Sequence, residues 1–388
     1  MKVEPDRLPY QVDFKMKSLK LFKSIGARFL LIAVFLFPLA AGFTSPAAAA
    51  PDNATGAVYT LTNAIGGNEV LAFTRAADGS LSSQGSYPTG GLGSGAGLGS
   101  QSAVILTKNN QWLFAVNSGS NQISAFAVNP NGLELVDVVD SGGIRPVSLT
   151  YFKDWLYVLN AGDSGNISGF GIGNDGSLSP LAGSTQPVSN SGAGAAPGLA
   201  QIAFSSDGST LVVTEKTTNL IDTYAVVDGL AGAPVTHPSS GAVPFGFAFD
   251  RHGHAIVSEA SGAVSSYQID GSGFSVISPS VVNTQVAACW IAISRNGKFA
   301  YTTNAGSGTI SSYQLGDDGS LTLLNATAGS TGAGSSPVDM AFSINGRYLY
   351  ALGSASHFIT IFQMGEDGSL TASGSANVPA GVVGLAAQ

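Results

Sequence analysis

A single tetrapeptide sets the strongest limit on what this chain can become. Asp-Gly-Ser-Leu occurs word for word four times, beginning at Asp78, Asp175, Asp318 and Asp367. Looser copies begin at Asn131, Asp228 and Asp270, so seven markers recur at a mean spacing of about 48 residues. A second marker runs in phase with the first. Short apolar runs end at Asn63, Asn117, Asn160, Glu215, Glu259, Asn304 and Gly353. A turn and another alternating run follow each, as in QISAFAV, LIDTYAV or TISSYQL. Alternation with a period of two marks half-buried strands, and Asn-Gly or Asp-Gly between runs marks hairpins whose central residues take positive φ. Each unit therefore predicts four short antiparallel strands, A to D, with the Asp-Gly marker between C and D. Seven units predict an all-β, seven-bladed β-propeller of four-stranded antiparallel blades. The first unit begins at strand B, and residues 379–388, PAGVVGLAAQ, match the start of a unit such as PVDMAFS at 337–343. The C-terminal strand is expected to complete blade one and close the ring, which removes open sheet edges.

The marker could also be a ligand loop. A calcium loop needs several oxygen ligands at fixed offsets, and each copy offers one certain carboxylate. Turn chemistry accounts for every residue in it, so a turn is expected, with no metal and no cofactor.

The chain has 388 residues. Its first 50 read as a signal peptide: Lys17, Lys20, Lys23 and Arg28 precede an apolar run over 29–43, and alanines at 47–50 supply a cleavage site. Met16 opens a more conventional leader, so residues 1–15 are read as an upstream start. The apolar run is interrupted by Pro38 and is shorter than the ~20 residues of a spanning helix, so no membrane span is expected after cleavage. Residues 51–388 form one propeller domain, secreted or periplasmic. They carry nine basic and 21 acidic residues, a formal net charge of 9 − 21 = −12. That balance excludes nucleic acid, whose phosphates need a basic footprint. Cys289 is the only cysteine, so no internal disulfide forms. A monomer is expected. Asn53, Asn166 and Asn325 head glycosylation sequons.

Longer phrases carry a family likeness: AFSSDGSTLVVTEKTTNLIDTYAV from 203, ISRNGKFAYTTNAGSGTISSYQLGDDGSLTLL from 293, and the joints SGAGAAPG and TGAGSSPV. Over residues 57–388 the chain resembles the lactonase family of seven-bladed propellers, of 6-phosphogluconolactonase and carboxymuconate-lactonizing types. The resemblance implies catalysis by His, Arg and Glu side chains near the central channel. Few of those positions match. Where the family often has Pro-His-x-His, this chain has Pro197, Gly198, Leu199 and Ala200. Where it has Pro-Arg-His, this chain has Pro244, Phe245 and Gly246. Trp290 and Ala292 align with a family Glu-x-His, and Ala305 with an Arg. Only the acid at Glu259 is matched.

Propeller ligands bind where D-to-A and B-to-C loops converge, so the residues ending strand B are the first candidates. Glu215 and Glu259, in adjacent blades, could form a general acid/base pair. Equally, they and Asn63, Asn117, Asn160 and Asn304 could cap the turns. Arg145 could clamp a carboxylate or phosphate or be a solvated loop residue. Lys216 is either an anion contact or a surface lysine. Trp290 could stack on a sugar or pack between blades. His252 and His254 lack a third metal ligand, and Cys289 reads as a small buried hydrophobe. The glycine-rich stretch at 89–101 lacks the Gly-Lys-Ser/Thr of a phosphate loop and is expected to be a flexible rim loop or lid. Two functions follow: a non-catalytic module binding a small molecule, glycan or protein at the channel mouth, or a lactone hydrolase or lactonizing enzyme using Glu259, Glu215 and Arg145.

Overall fold

Seven antiparallel sheets follow one another along the chain in a computed structural model that describes residues 55–270 and 273–388. The expected signal peptide, the sequon at Asn53 and the turn at Gly271 lie outside those residues. Blade six shows the pattern: Ala288–Ile293 (A), Phe299–Asn304 (B), Thr309–Leu315 (C) and Leu321–Ser330 (D) pair in that order. Blades two, five and seven repeat it, while the outer edges of blades three and four are broken into two short strands each. Blade one draws its three outer strands from Gly56–Leu61, Glu69–Arg75 and Leu81–Pro88. Its inner strand is C-terminal: Val383–Ala387 pairs with Gly56–Leu61, Tyr59 opposite Ala386 and Leu61 opposite Val383. The ring closes as the sequence predicts. Asp339, fully buried in strand A of blade seven, reinforces the joint. Its carboxyl accepts N–H bonds from Met340 at 2.8 Å and, in blade one, from Leu385 at 3.0 Å.

The Asp-Gly-Ser-Leu copies lie between strands C and D and join neighbouring blades. Asp78 Oδ1 accepts bonds from Ser80 N at 3.0 Å and Ser80 Oγ at 2.6 Å, and Asp175 and Asp318 repeat both bonds. The glycine that follows has a φ of 80–83° in all four copies, a left-handed conformation that costs glycine little. Its bare α-carbon faces the first side chain of strand B in the preceding blade. A Cβ at Gly79 would lie 2.4 Å from the Tyr348 ring, and Gly176, Gly319 and Gly368 face Trp112, His254 and Phe299 in the same way. Two residues further along strand B, Tyr350 donates to Gly79 O at 2.9 Å and Tyr301 to Gly368 O at 2.9 Å. The repeated tetrapeptide is thus an inter-blade latch. Between the blades, Phe114, Tyr157, Tyr224, Tyr267, Tyr301 and Tyr350 are fully buried and form the core.

Candidate functional site: the channel mouth

Strand A of each blade lines the central channel, and in blades three, four and seven its third residue, Ser148, Gln201 or Asp339, binds the next blade. Gln201 in blade four reaches blade five, where its Nε2 donates to Phe247 O at 2.9 Å and its Oε1 accepts Phe247 N–H at 2.6 Å. The matching residue in blade five is Gly246, which has no side chain to offer. A side chain from across the channel takes its place. Gln101 Nε2 donates to Ile291 O at 2.9 Å and its Oε1 accepts Ile291 N–H at 3.2 Å. A Cβ on Gly246 would lie 2.1 Å from Gln101 Oε1. Ser100 completes the crossing: its carbonyl accepts the Trp290 indole N–H at 3.0 Å and its hydroxyl donates to Val147 O at 2.8 Å. The end of the glycine-rich stretch, expected as a flexible rim loop, is therefore a buried plug. Leu98, Ser100 and Gln101 are all nearly solvent-free.

Beside the plug, Ala200, Phe245, Cys289 and Trp290 pack into one apolar cluster, with Ala305 against it. The Phe245 and Trp290 rings lie 4.9 Å apart. Trp290 is only 4% exposed, so it forms a wall beneath the plug and not an open stacking surface. Lys216 Nζ lies 4.7 Å from the Phe245 ring centre, a cation–π contact. It donates to Leu199 O at 3.2 Å and to Gly99 O. Burial first, and the nearby Arg145 guanidinium second, pull its ammonium down to about 8. Arg145 stands at the D-to-A joint before blade three with a φ of 58°. Its N–H is held by Asn121 Oδ1 at 2.8 Å and its side chain is exposed. The structure thus brings together Arg145, Lys216 and Trp290 from the predicted set.

The strand-B ring is buried. Asn63, Asn117, Asn160, Glu215, Glu259 and Asn304 are at most 2% exposed and tether loops. Asn117 binds Ser124 Oγ at 2.7 Å and Thr89 Oγ1 at 2.6 Å, and Asn304 binds Ser311 Oγ and Asn283 Nδ2, each at 2.9 Å. Asn160 donates to Ser141 O, and Asn63 to Ala96 O. Glu215 and Glu259 do not pair with each other. Glu259 accepts hydroxyl bonds from Ser265 and, at 2.7 Å, from Ser280. Glu215 accepts Ser189 Oγ and Thr218 Oγ1 at 2.6 Å. Its carboxyl partner is Asp222, which also accepts Thr236 Oγ1 at 2.7 Å. Burial and the bond to Glu215 raise the Asp222 pKa.

The comparisons agree with this ring. The model of the lactonase seven-bladed β-propeller family matches residues 67–188, 174–273 and 272–384. The chain belongs to the lactonase family of seven-bladed β-propellers. Solved lactonase-fold structures superpose on most of it. A Bacteroides fragilis protein whose proposed activity is that of a 6-phosphogluconolactonase is 20% identical, with a TM-score of 0.66 over 87% of this chain and 98% of that one. The periplasmic gluconolactonase of Pseudomonas aeruginosa is 18% identical, with a TM-score of 0.65 over 85% and 99%. A Lactobacillus plantarum protein is 17% identical, with a TM-score of 0.69 over 86% and 99%. No curated protein sequence matches the chain significantly.

In this lactonase-family propeller, Ala200, Phe245, Trp290 and Ala305, which the family likeness sets opposite polar positions, meet at the apolar cluster, while Ala292 packs in a separate one with Tyr301 and Met340. The histidines lie elsewhere. His254 Nδ1 contacts Asp250 Oδ2 at 2.7 Å on the A-to-B turn, where Arg251 pairs with Asp317 at 2.5 Å and His252 lies 3.6 Å from the same carboxylate. His237 stacks on Phe274 at 4.2 Å, and His357 is exposed in a blade-seven turn. Cys289 is buried, and desolvation pushes its thiol up to about 12. The reading of single residues missed Gln101 and Asp222. Asp222 left a signal: it stands where QISAFAV, NISGFGI and TISSYQL carry serine.

Proposed function

We propose that this protein is an exported, monomeric recognition member of the lactonase family that binds a compact anionic ligand, a sugar acid or its lactone, at the channel mouth. The observation that carries this is the apolar Ala200–Phe245–Trp290 cluster with the cations Lys216 and Arg145 beside it. Two cations over an apolar wall suit a carboxylate or phosphate attached to a carbon skeleton. Ring opening would need a general base in reach of a bound water, and both buried glutamates are occupied by hydroxyl donors. The export part rests on the leader at 1–50.

A second function, lactone hydrolysis, is supported by the family and by the activity in the names of the Bacteroides and Pseudomonas structures. In it Glu259 and Glu215 serve as acid/base and Arg145 as clamp. Titration calorimetry with 6-phosphogluconate and gluconate separates recognition from a mouth that binds neither. We expect binding that Arg145→Gln weakens by about tenfold, because a bidentate charged contact is lost. Absence of heat with both ligands would overturn the recognition proposal.

A further inference from the structure

The opposite face of the ring carries a cleft that the mouth does not explain. Five residues link strands A and B in blade six (294–298) and in blade seven (343–347), but only Lys153 and Asp154 do so in blade three. The short hairpin leaves a cleft of about 390 Å³ between blades two and three. Its walls include Trp112, Tyr151, Lys108 and Lys153, the side-chain amides of Gln111 and Asn174, and one acid, Asp154.

The equivalent place between blades five and six fills itself. There Arg251, the second residue of its A-to-B turn, crosses to Asp317 at 2.5 Å and to Asn296 O at 3.4 Å. Lys108 holds the same turn position as Arg251, and Asn174 the same position as Asp317. The carboxylate is missing, so the crossing is not made. Among the described residues neither Lys108 nor Lys153 has a carboxylate partner. The Tyr151 hydroxyl accepts the Lys108 N–H, which leaves its own proton for a further acceptor. Two ammonium groups and a phenol O–H are therefore presented beside two aromatic rings, in a domain with nine cations in all.

We propose that this cleft is a binding site for a carboxylated saccharide. The aromatic rings supply a flat apolar surface, the amides match sugar hydroxyls, and the lysines answer the carboxylate. The site is independent of the mouth and stands or falls separately from it.

Ligand-observed NMR with galacturonate, a galacturonate trisaccharide and galactose tests it. Both acids are expected to bind and galactose is not, and the Lys108→Gln/Lys153→Gln double variant should weaken binding by about fivefold or more. A trisaccharide preference identifies a polymer as the source, and equal affinity a free sugar acid. Lys153→Gln alone should give an intermediate loss. No binding of either acid at millimolar concentration, equal binding of galactose, or affinity unchanged in the double variant would each overturn the proposal.

Discussion

Gln201 and Gln101 make the same pair of bonds from opposite sides of the channel. Gln201 reaches from blade four to its neighbour, as Ser148 and Asp339 do at the third position of strand A in blades three and seven. Gln101 comes from the segment entering blade two and bonds Ile291 of blade six, the contact that Gly246 of blade five cannot make. The first contact is architecture, set by the repeat. The second departs from the repeat, and it closes the channel over Trp290. The same backbone rule thus serves stability in one place and shapes the mouth in the other.

The strongest way to break the comparison is to restore a side chain at Gly246. Gly246→Ala places a methyl 2.1 Å from Gln101 Oε1 and must expel the plug or distort blade six. We expect a loss of about 3 kcal/mol in urea unfolding, with a red shift of Trp290 emission as its cover leaves. Removing each glutamine ranks next. Gln201→Ala strands the Phe247 N–H and C=O in a closed interface and should cost about 2 kcal/mol, against about 1 kcal/mol for Gln101→Ala, because truncating the plug lets water enter from the mouth to the Ile291 N–H and C=O. Equal losses in the same unfolding assay would show that the plug is as integral as the blades.

The smallest effect concerns pH. Blades two and six pair Asn117 with Ser124 and Asn304 with Ser311, while blade four pairs Glu215 with Asp222. The folded-state pKa of Asp222 is raised, so its contribution is full below the unfolded value of ~3.9 and is lost as pH rises through the folded one. Melting temperature should fall as pH rises from about 4 to about 7, by a few degrees at most. Asp222→Ser, which copies blades two and six, should flatten that slope.

The architecture was open to reading from the sequence because it repeats. Six Asp-Gly turns, one Asn-Gly turn and seven strand-B endings in phase gave the blades, the C-to-D placement and the C-terminal closure. Residues at strand ends were harder. Alternation says that Asn117 or Glu259 alternates with its neighbours, but not which face of a twisted sheet each side chain takes, so the same residues read equally as a mouth or as turn caps. The plug was hidden for another reason. Gln101 pairs with Ile291, 190 residues away, and a glycine-rich stretch carries no periodicity to announce burial. Asp222 was legible in principle, as an acid in a column of serines.

The central claim is that the mouth recognises a sugar acid or lactone and does not open the ring. The direct measurement is pH-stat hydrolysis of gluconolactone and 6-phosphogluconolactone by the purified protein, alongside Glu259→Gln. The account predicts rates equal to the uncatalysed background for both proteins. Turnover by the wild type that Glu259→Gln abolishes would contradict it and establish a lactonase.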